Sequence, residues 1–198
     1  MSSVHVVYAH PSPEGFTREV LDAFLGGLTS YTLTDLYATG FEAAMSPAEY
    51  SRPAAGPVPG DVAAEQTRLD AADVWAFIYP VWWADCPAIL KGWFDRVWTA
   101  GWAYKPMRLR VARRAIVLCT AGYPVADLEA SGVHRAMRTT MLTDRIGARA
   151  ESSDFVVLGG AVLRDADPAG WAALKATHLR RATELARSTA RPGHTNST

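Results

Sequence analysis

Hydrophobic positions along the chain follow two rhythms. Short, largely apolar runs, too brief for free-standing helices and rich in β-branched and aromatic residues, predict buried strands at Val4 to Tyr8, Val74 to Tyr79, where the run is unbroken, Ala115 to Thr120 and Phe155 to Leu163. A Thr-rich alternating stretch from Tyr31 to Leu36 predicts one more. Between them, apolar residues recur at three- and four-residue steps. Val20, Leu21, Phe24, Leu25 and Leu28 mark a helix from Thr17, which Gly26-Gly27 ends. Asp61 caps a helix running to Ala72. A third helix spans Ala88 to Thr99, with Ile89, Leu90, Trp93, Phe94, Val97 and Trp98 on its apolar face and Lys91, Asp95 and Arg96 on its polar face. Helical spacing returns around Arg135 to Leu142, and Pro168 opens a closing helix to Ala190 with Trp171, Leu174, His178, Ala182 and Leu185 on one side.

Strands that alternate with helices predict an α/β fold: a doubly wound, five-stranded parallel sheet of flavodoxin-like pattern with helices on both faces. Residues 1–190 read as a single domain without internal repeat or linker, and 191–198 as a disordered tail. The segment after Leu36 carries four prolines between Pro47 and Pro59 and reads as a long surface excursion with one helical turn at Pro47 to Tyr50.

Composition narrows the setting. Twenty basic residues balance twenty acidic ones, so nothing in the charge favours nucleic acid or an anionic membrane as partner. Cys86 and Cys119 belong to no CxxC or Cys/His cluster, which points away from a disulfide framework or zinc site and towards a reducing cytoplasm. No apolar run approaches the roughly 18 residues of a membrane span, and the N-terminus lacks the charged region of a signal peptide.

In such sheets a ligand sits beyond the carboxyl ends of the strands, where three loops meet. The first, HPSPEGFT, leads into a helix start whose free N–H groups suit a phosphate; a capped helix behind a polar loop is the plainer alternative, and His10 either binds an anion or merely ends the strand. The second, PVWWAD, places Trp82 and Trp83 where their rings need an apolar partner, either a plug or dimer patch or a stacked cofactor. The third, TAGYPVAD, contains Gly122, which permits close backbone approach. The arginines from Arg108 to Arg114 are either a solvated face or a site for a phosphate or pyrophosphate group of a ligand.

YPVWWADCPAILKGWFDRVWTAGWAY, from Tyr79 to Tyr104, resembles the NAD(P)H:quinone oxidoreductases of the DT-diaphorase type, flavodoxin-like flavoproteins, and fits their compact bacterial members. DLYATGFEAAMS, YAHPSPEGFT and Gly132-Val133-His134 resemble further segments of the same family. The resemblance implies a bound FAD or FMN, with FAD slightly favoured. His10, Phe16 and Thr17 would lie near its phosphate and ribityl chain. Pro80, Val81, Trp82 and Trp83 would lie along the ring edge, with Thr120, Ala121 and Gly122 opposite. His134 and Tyr123 take catalytic roles in this reading; Leu128 falls near the position where mammalian members carry a catalytic tyrosine. It further implies a homodimer whose second subunit brings Trp102 and Tyr104 to the substrate, and ping-pong hydride transfer from NAD(P)H through flavin to a quinone. An ancillary flavoprotein of a potassium efflux system and a flavodoxin-like electron carrier are the alternatives.

Overall fold

The computed structural model describes residues 3–189. Five strands, β1 (Val4–Tyr8), β2 (Tyr31–Asp35), β3 (Val74–Pro80), β4 (Arg114–Thr120) and β5 (Ser153–Leu158), form one sheet in the order β2-β1-β3-β4-β5 with every pairing parallel. The order reverses between β1 and β3. That is where a doubly wound sheet opens a crevice at its carboxyl edge.

Alternate side chains of each strand enter separate cores. Val7, Trp75, Phe77, Tyr79, Val117 and Cys119 face α3 (Gly60–Ala71) and α4 (Ala88–Val97), where Trp93 packs edge-on against Phe77, and Phe94 and Trp98 pack tilted against Phe77 and Trp75. Val6, Tyr8, Ala76, Ile78, Ile116 and Leu118 face α1 (Phe16–Leu25) and the last helix, α8 (Pro168–Ser188). Every residue of β3 is buried, which explains its unbroken apolar run.

Two buried ionic networks fix the layers. Glu65 of α3 accepts hydrogen bonds from Trp93 Nε1 and Thr34 Oγ1, both at 3.0 Å, and pairs with Arg68, while His5 Nε2 stands 3.6 Å away. Burial alone would raise the Glu65 pKa; the donors and the neighbouring His5 ring outweigh it and hold the carboxyl below its usual value. Arg96 of α4 is 5% exposed and binds Glu49 at 2.7 Å, Asp61 at 2.7 Å and the Glu42 carbonyl at 2.6 Å, over the ring of Phe41. It staples the proline-rich excursion, including its one turn of helix, α2 (Pro47–Tyr50), onto α4.

Burial of Glu49, Asp61 and Asp85 likewise pushes their pKa values up, and their arginine partners and hydrogen bonds turn the net shift downward. A lowered folded pKa contributes stability above the unfolded value, near pH 4, and that stability disappears as pH falls through the folded values. His178, depressed by burial and bonded to the Gly159 carbonyl at 2.9 Å, adds a gentler loss below about pH 6.5, where the unfolded chain takes up a proton that the folded one refuses. Urea midpoints followed by circular dichroism should therefore be level from about pH 7 to 8, decline slightly towards pH 5 and drop steeply below pH 4. A flat profile to pH 3 would contradict the carboxylate pairing.

Gly92 occupies the middle of α4, a costly place for glycine. A Cβ there would lie 2.2 Å from the Ala43 carbonyl oxygen of the excursion, so the close approach demands it. Gly92→Ala should lower stability by about 1–3 kcal/mol despite its better helix propensity, as overpacking does, read as a shift in urea midpoint at constant slope.

The structure departs from the sequence expectations in several places. Arg96, expected on a polar face, is buried because the excursion folds over it. Asp61 is not the cap of α3; it lies inside the first turn and serves Arg96, while Pro59 precedes the helix. The loop after β4 contains α5 (Val125–Ala130), and α6 (Val133–Arg138) runs on into a π-helical stretch, Thr139–Ile146. β5 ends at Leu158 rather than Leu163, because Gly159-Gly160 turns the chain towards α7 (Leu163–Ala166). The expected tail, 191–198, lies outside the described residues.

Candidate functional site

Three loops follow β1, β3 and β4 at the carboxyl edge of the sheet, and the structure joins them. Val81 N–H donates to the Thr120 carbonyl at 2.8 Å, and the buried hydroxyls of Thr17 and Thr120 meet at 2.8 Å. The helix start, the Trp-bearing loop and the end of β4 are thereby one assembly.

Gly15, immediately before α1, has φ 102° and ψ −179°, a conformation that glycine alone adopts readily. It delivers the helix with no side-chain cap, so the N–H groups of Phe16, Thr17 and Arg18 make no hydrogen bond among the described residues. His10 helps to shape the approach, its Nδ1 accepting from Ser12 N–H at 3.1 Å. A depression of about 370 Å³ lies over this helix start, bordered also by Pro80, Trp82, Thr120 and Arg164.

The loop after β4 supplies a second set of donors. The carbonyls of Ala121 and Gly122 accept from the N–H groups of Ala161 at 3.2 Å and Val162 at 2.9 Å. A carbonyl and the following N–H share one planar peptide and point in opposite directions. The N–H groups of Gly122 and Tyr123 are therefore aimed away from the 160–162 segment, and neither has a partner among the described residues. Both residues line an adjoining, largely apolar cavity of about 800 Å³, with Val81, Trp83, Leu128 and Val133. Val81, Ala121 and Gly122 border both hollows, so the two adjoin and together form the groove at the carboxyl edge of the sheet.

The Trp loop is a tight reversal. Trp82 and Asp85 exchange backbone hydrogen bonds at 2.9 and 3.0 Å, and between them Trp83 and Ala84 have φ 52° and 60°. This is type I′ geometry, which usually requires Asn-Gly; two side-chain-bearing residues in left-handed conformation cost about 1–2 kcal/mol each. The reversal leaves the Trp83 ring fully exposed and Trp82 40% exposed. Cys86, just beyond it, is buried, and burial pushes its thiol up to about 12, which makes it an inert side chain at neutral pH.

The groove brings together His10, Phe16, Thr17, Pro80, Val81, Trp82, Thr120, Ala121 and Gly122 along one hollow, and Trp83 and Tyr123 along the other. His134 does not line it: the wall there is Val133, and the His134 ring packs edge-on against Phe155 at 5.6 Å. Trp102 and Tyr104 stand apart. Trp102 donates its indole N–H to Asp70 at 3.1 Å and packs on Trp98, while Tyr104 borders a separate hollow with Tyr50 and Arg52. The arginine cluster is tied up elsewhere, Arg110 by Asp73, Arg113 by the Thr189 carbonyl and Arg114, at the start of β4, by Asp154. Sequence reasoning missed Ala84, Val133, Ala161 and Arg164 as groove residues. For the last two, Gly159-Gly160 was the available signal that the chain turns back over the site.

Comparison with known proteins agrees with this geometry. The family described as having a flavodoxin-like fold matches residues 2–167. An NAD(P)H:quinone oxidoreductase from Methanothermobacter marburgensis has 42% identity and a TM-score of 0.89, with 98% of each chain covered. General stress protein 14 from Treponema denticola, solved in complex with FMN, shares the fold at 21% identity and a TM-score of 0.67, with 94% of this chain and 98% of that one covered. An uncharacterised NAD(P)H oxidoreductase of Haemophilus influenzae is 34% identical over 106 residues, 50% of this chain and 52% of that protein. The chain spans about half the length of the first curated relatives it matches. Family match, fold and end-to-end similarity lead to the same place: the chain belongs to the flavodoxin-like fold family and is a homologue of its NAD(P)H:quinone oxidoreductases.

Proposed function

We propose that the protein is a flavin-dependent two-electron reductase that takes a hydride from NAD(P)H and passes it to a quinone, the two substrates using one cavity in turn. The observation that carries this reading is the pair of adjoining hollows, with unpaired N–H donors of a helix start in one and a largely apolar lining edged by two backbone donors in the other. That donor set fits a molecule with a phosphate at one end and a planar ring at the other. The names of the similar proteins, an NAD(P)H:quinone oxidoreductase and an FMN complex, support the same choice.

Within the groove, Phe16, Thr17 and Arg18 N–H groups would hold the phosphate, with the positive end of α1 behind them. The hollow continues past them to Ala161 and Arg164, whose guanidinium lies over Trp171 at 5.8 Å. Room and a cation beyond the first phosphate favour FAD over FMN. Bound there, the flavin supplies reversible acceptance of a hydride, and the protein contributes position and electrostatics. Gly122 and Tyr123 N–H groups would donate to the ring edge where negative charge develops, and in an apolar, water-poor hollow such donors act strongly. Trp82 and Trp83 form the shelf for the planar partner. Tyr123, exposed at the rim, and His134 would give the proton that completes the hydroquinone, His134 after leaving its edge contact with Phe155. A second copy of the chain covers the exposed rings of Trp83 and Tyr123 in this reading, since large exposed aromatics beside one cavity mark an association surface, and it brings its own Trp102 and Tyr104 to the substrate. Among the described residues no helix is long and apolar enough to cross a membrane; with its two cysteines free and buried, the enzyme is assigned to the reducing cytoplasm.

The deciding experiment releases the chromophore from purified protein, identifies it by chromatography, and follows bleaching by NADPH and reoxidation by a quinone as separate anaerobic steps. Bound FAD with both half-reactions is expected. A colourless protein that neither FAD nor FMN reconstitutes would overturn the reading.

A further inference from the structure

Arg145 stands outside the groove and takes no part in the chemistry above, yet it is one of the most elaborately held side chains in the molecule. It comes from the π-helical stretch Thr139–Ile146 and is 5% exposed. Its Nη1 and Nη2 bind the two carboxylate oxygens of Asp85 at 2.6 and 2.8 Å. Nη1 also lies 3.3 Å from Cys86 Sγ and 3.2 Å from Met141 Sδ, and the guanidinium rests over the Phe94 ring at 5.6 Å. Its own carbonyl accepts the Trp98 indole N–H at 2.6 Å, so the backbone that presents it is anchored too.

The partner of this fork is the closing residue of the strained turn. Asp85 pairs through its backbone with Trp82, while its Oδ1 accepts the N–H of Cys86 at 2.7 Å. Trp83 and Ala84, the two left-handed residues between, form part of the cavity wall. Such strain persists only where the surroundings over-determine it. A hairpin free at Asp85 would relax towards a wider turn, and the wall would move with it. Planar, bidentate pairing is what a guanidinium gives and an ammonium does not.

We infer that Arg145 is a positioning residue: its two-pronged grip on Asp85 holds the Trp82–Asp85 turn in its strained form and so fixes the Trp83 wall of the cavity. The structural half of this inference stands on the turn alone. Its consequence for cofactor affinity rests on the proposed flavin reading.

The test compares Arg145→Lys, Ala84→Gly and the double variant with the unaltered full-length protein. Amide hydrogen exchange is followed by mass spectrometry over peptides covering 81–86, β3 and α4, and flavin dissociation constants are measured by quenching of FAD and FMN fluorescence. Arg145→Lys should speed exchange in 81–86 at least tenfold with β3 and α4 unchanged, and raise the flavin dissociation constant about tenfold. Glycine removes the left-handed penalty at position 84. The double variant should therefore recover at least half of each loss on a logarithmic scale. A merely structural arginine would loosen β3 and α4 equally, and Ala84→Gly would rescue nothing; either result, or unchanged exchange in 81–86, overturns the inference. Should Arg145→Lys not fold, Asp85→Asn, altered on its half-exposed side, is read by the same criteria. Unaltered protein that binds no flavin would refute the proposed function, while the exchange data would still decide the role of Arg145.

Discussion

Glu65→Ala is expected to cost about 3–5 kcal/mol, from two buried donors left without an acceptor and the cavity that opens beside them. The carboxylate is 3% exposed and serves Trp93, Thr34 and Arg68 at once, next to a fully buried His5. Alanine leaves an indole N–H and a hydroxyl without acceptors beneath the sheet and removes the counter-charge of Arg68. Each orphaned neutral donor costs about 1–3 kcal/mol, and a cavity adds to that. Glu65→Gln keeps an acceptor and the volume but loses the charge, and should fall between. Urea unfolding monitored by circular dichroism and by Trp fluorescence checks both. A loss under 1 kcal/mol for alanine would mean that the donors find new partners.

Gly15→Ala should weaken flavin binding by about 5- to 150-fold, corresponding to about 1–3 kcal/mol of backbone strain. Nothing lies within 4 Å of where the new Cβ would stand, so no collision is involved. The penalty is the conformation itself, φ 102° with ψ −179°. The loop can escape by rotating, and rotation carries away the start of α1 and its free N–H groups. Fold stability should change little if the loop rotates, and by the full strain if it does not. Paired measurements of flavin affinity and urea midpoint separate these cases. No change in either would show that the helix start bears no part of the ligand.

The sheet was legible because parallel strands buried on both faces need largely apolar runs, which β1 and β4 have and β3 has without a break. The order of the loops around the crevice followed from chain connectivity. Other features depend on contacts between distant residues and leave no local trace. Arg96 has the spacing of a surface arginine and is buried only because residues 36–60 fold across it. Trp83 and Ala84 lack the glycine or asparagine that announces a left-handed turn; the clamp that permits the turn lies 60 positions away, at Arg145. The short helix α5 hides in a loop-like sequence, with Pro124 before it and Leu128 as its one buried residue. Of the Tyr79 to Tyr104 motif, Pro80 to Trp83 border the groove, while Trp102 is partly buried against Trp98 and tied to Asp70.

The backbone bonds between the loop after β4 and residues 160–162 bear on how this scaffold can be altered. The aim of the Gly122 and Tyr123 donors is set from behind, by main-chain hydrogen bonds of residues 160–162, a close approach that Gly159 and Gly160 permit because a Cβ at Gly159 would lie 2.5 Å from the Tyr123 carbonyl oxygen. Leu128 and Val133, which shape the opposite part of the hollow, belong to other elements, α5 and α6. Under the proposed function, cofactor electronics and acceptor fit would therefore be separable, and a library varied at Leu128 and Val133 would explore new acceptors while the polar edge keeps its orientation.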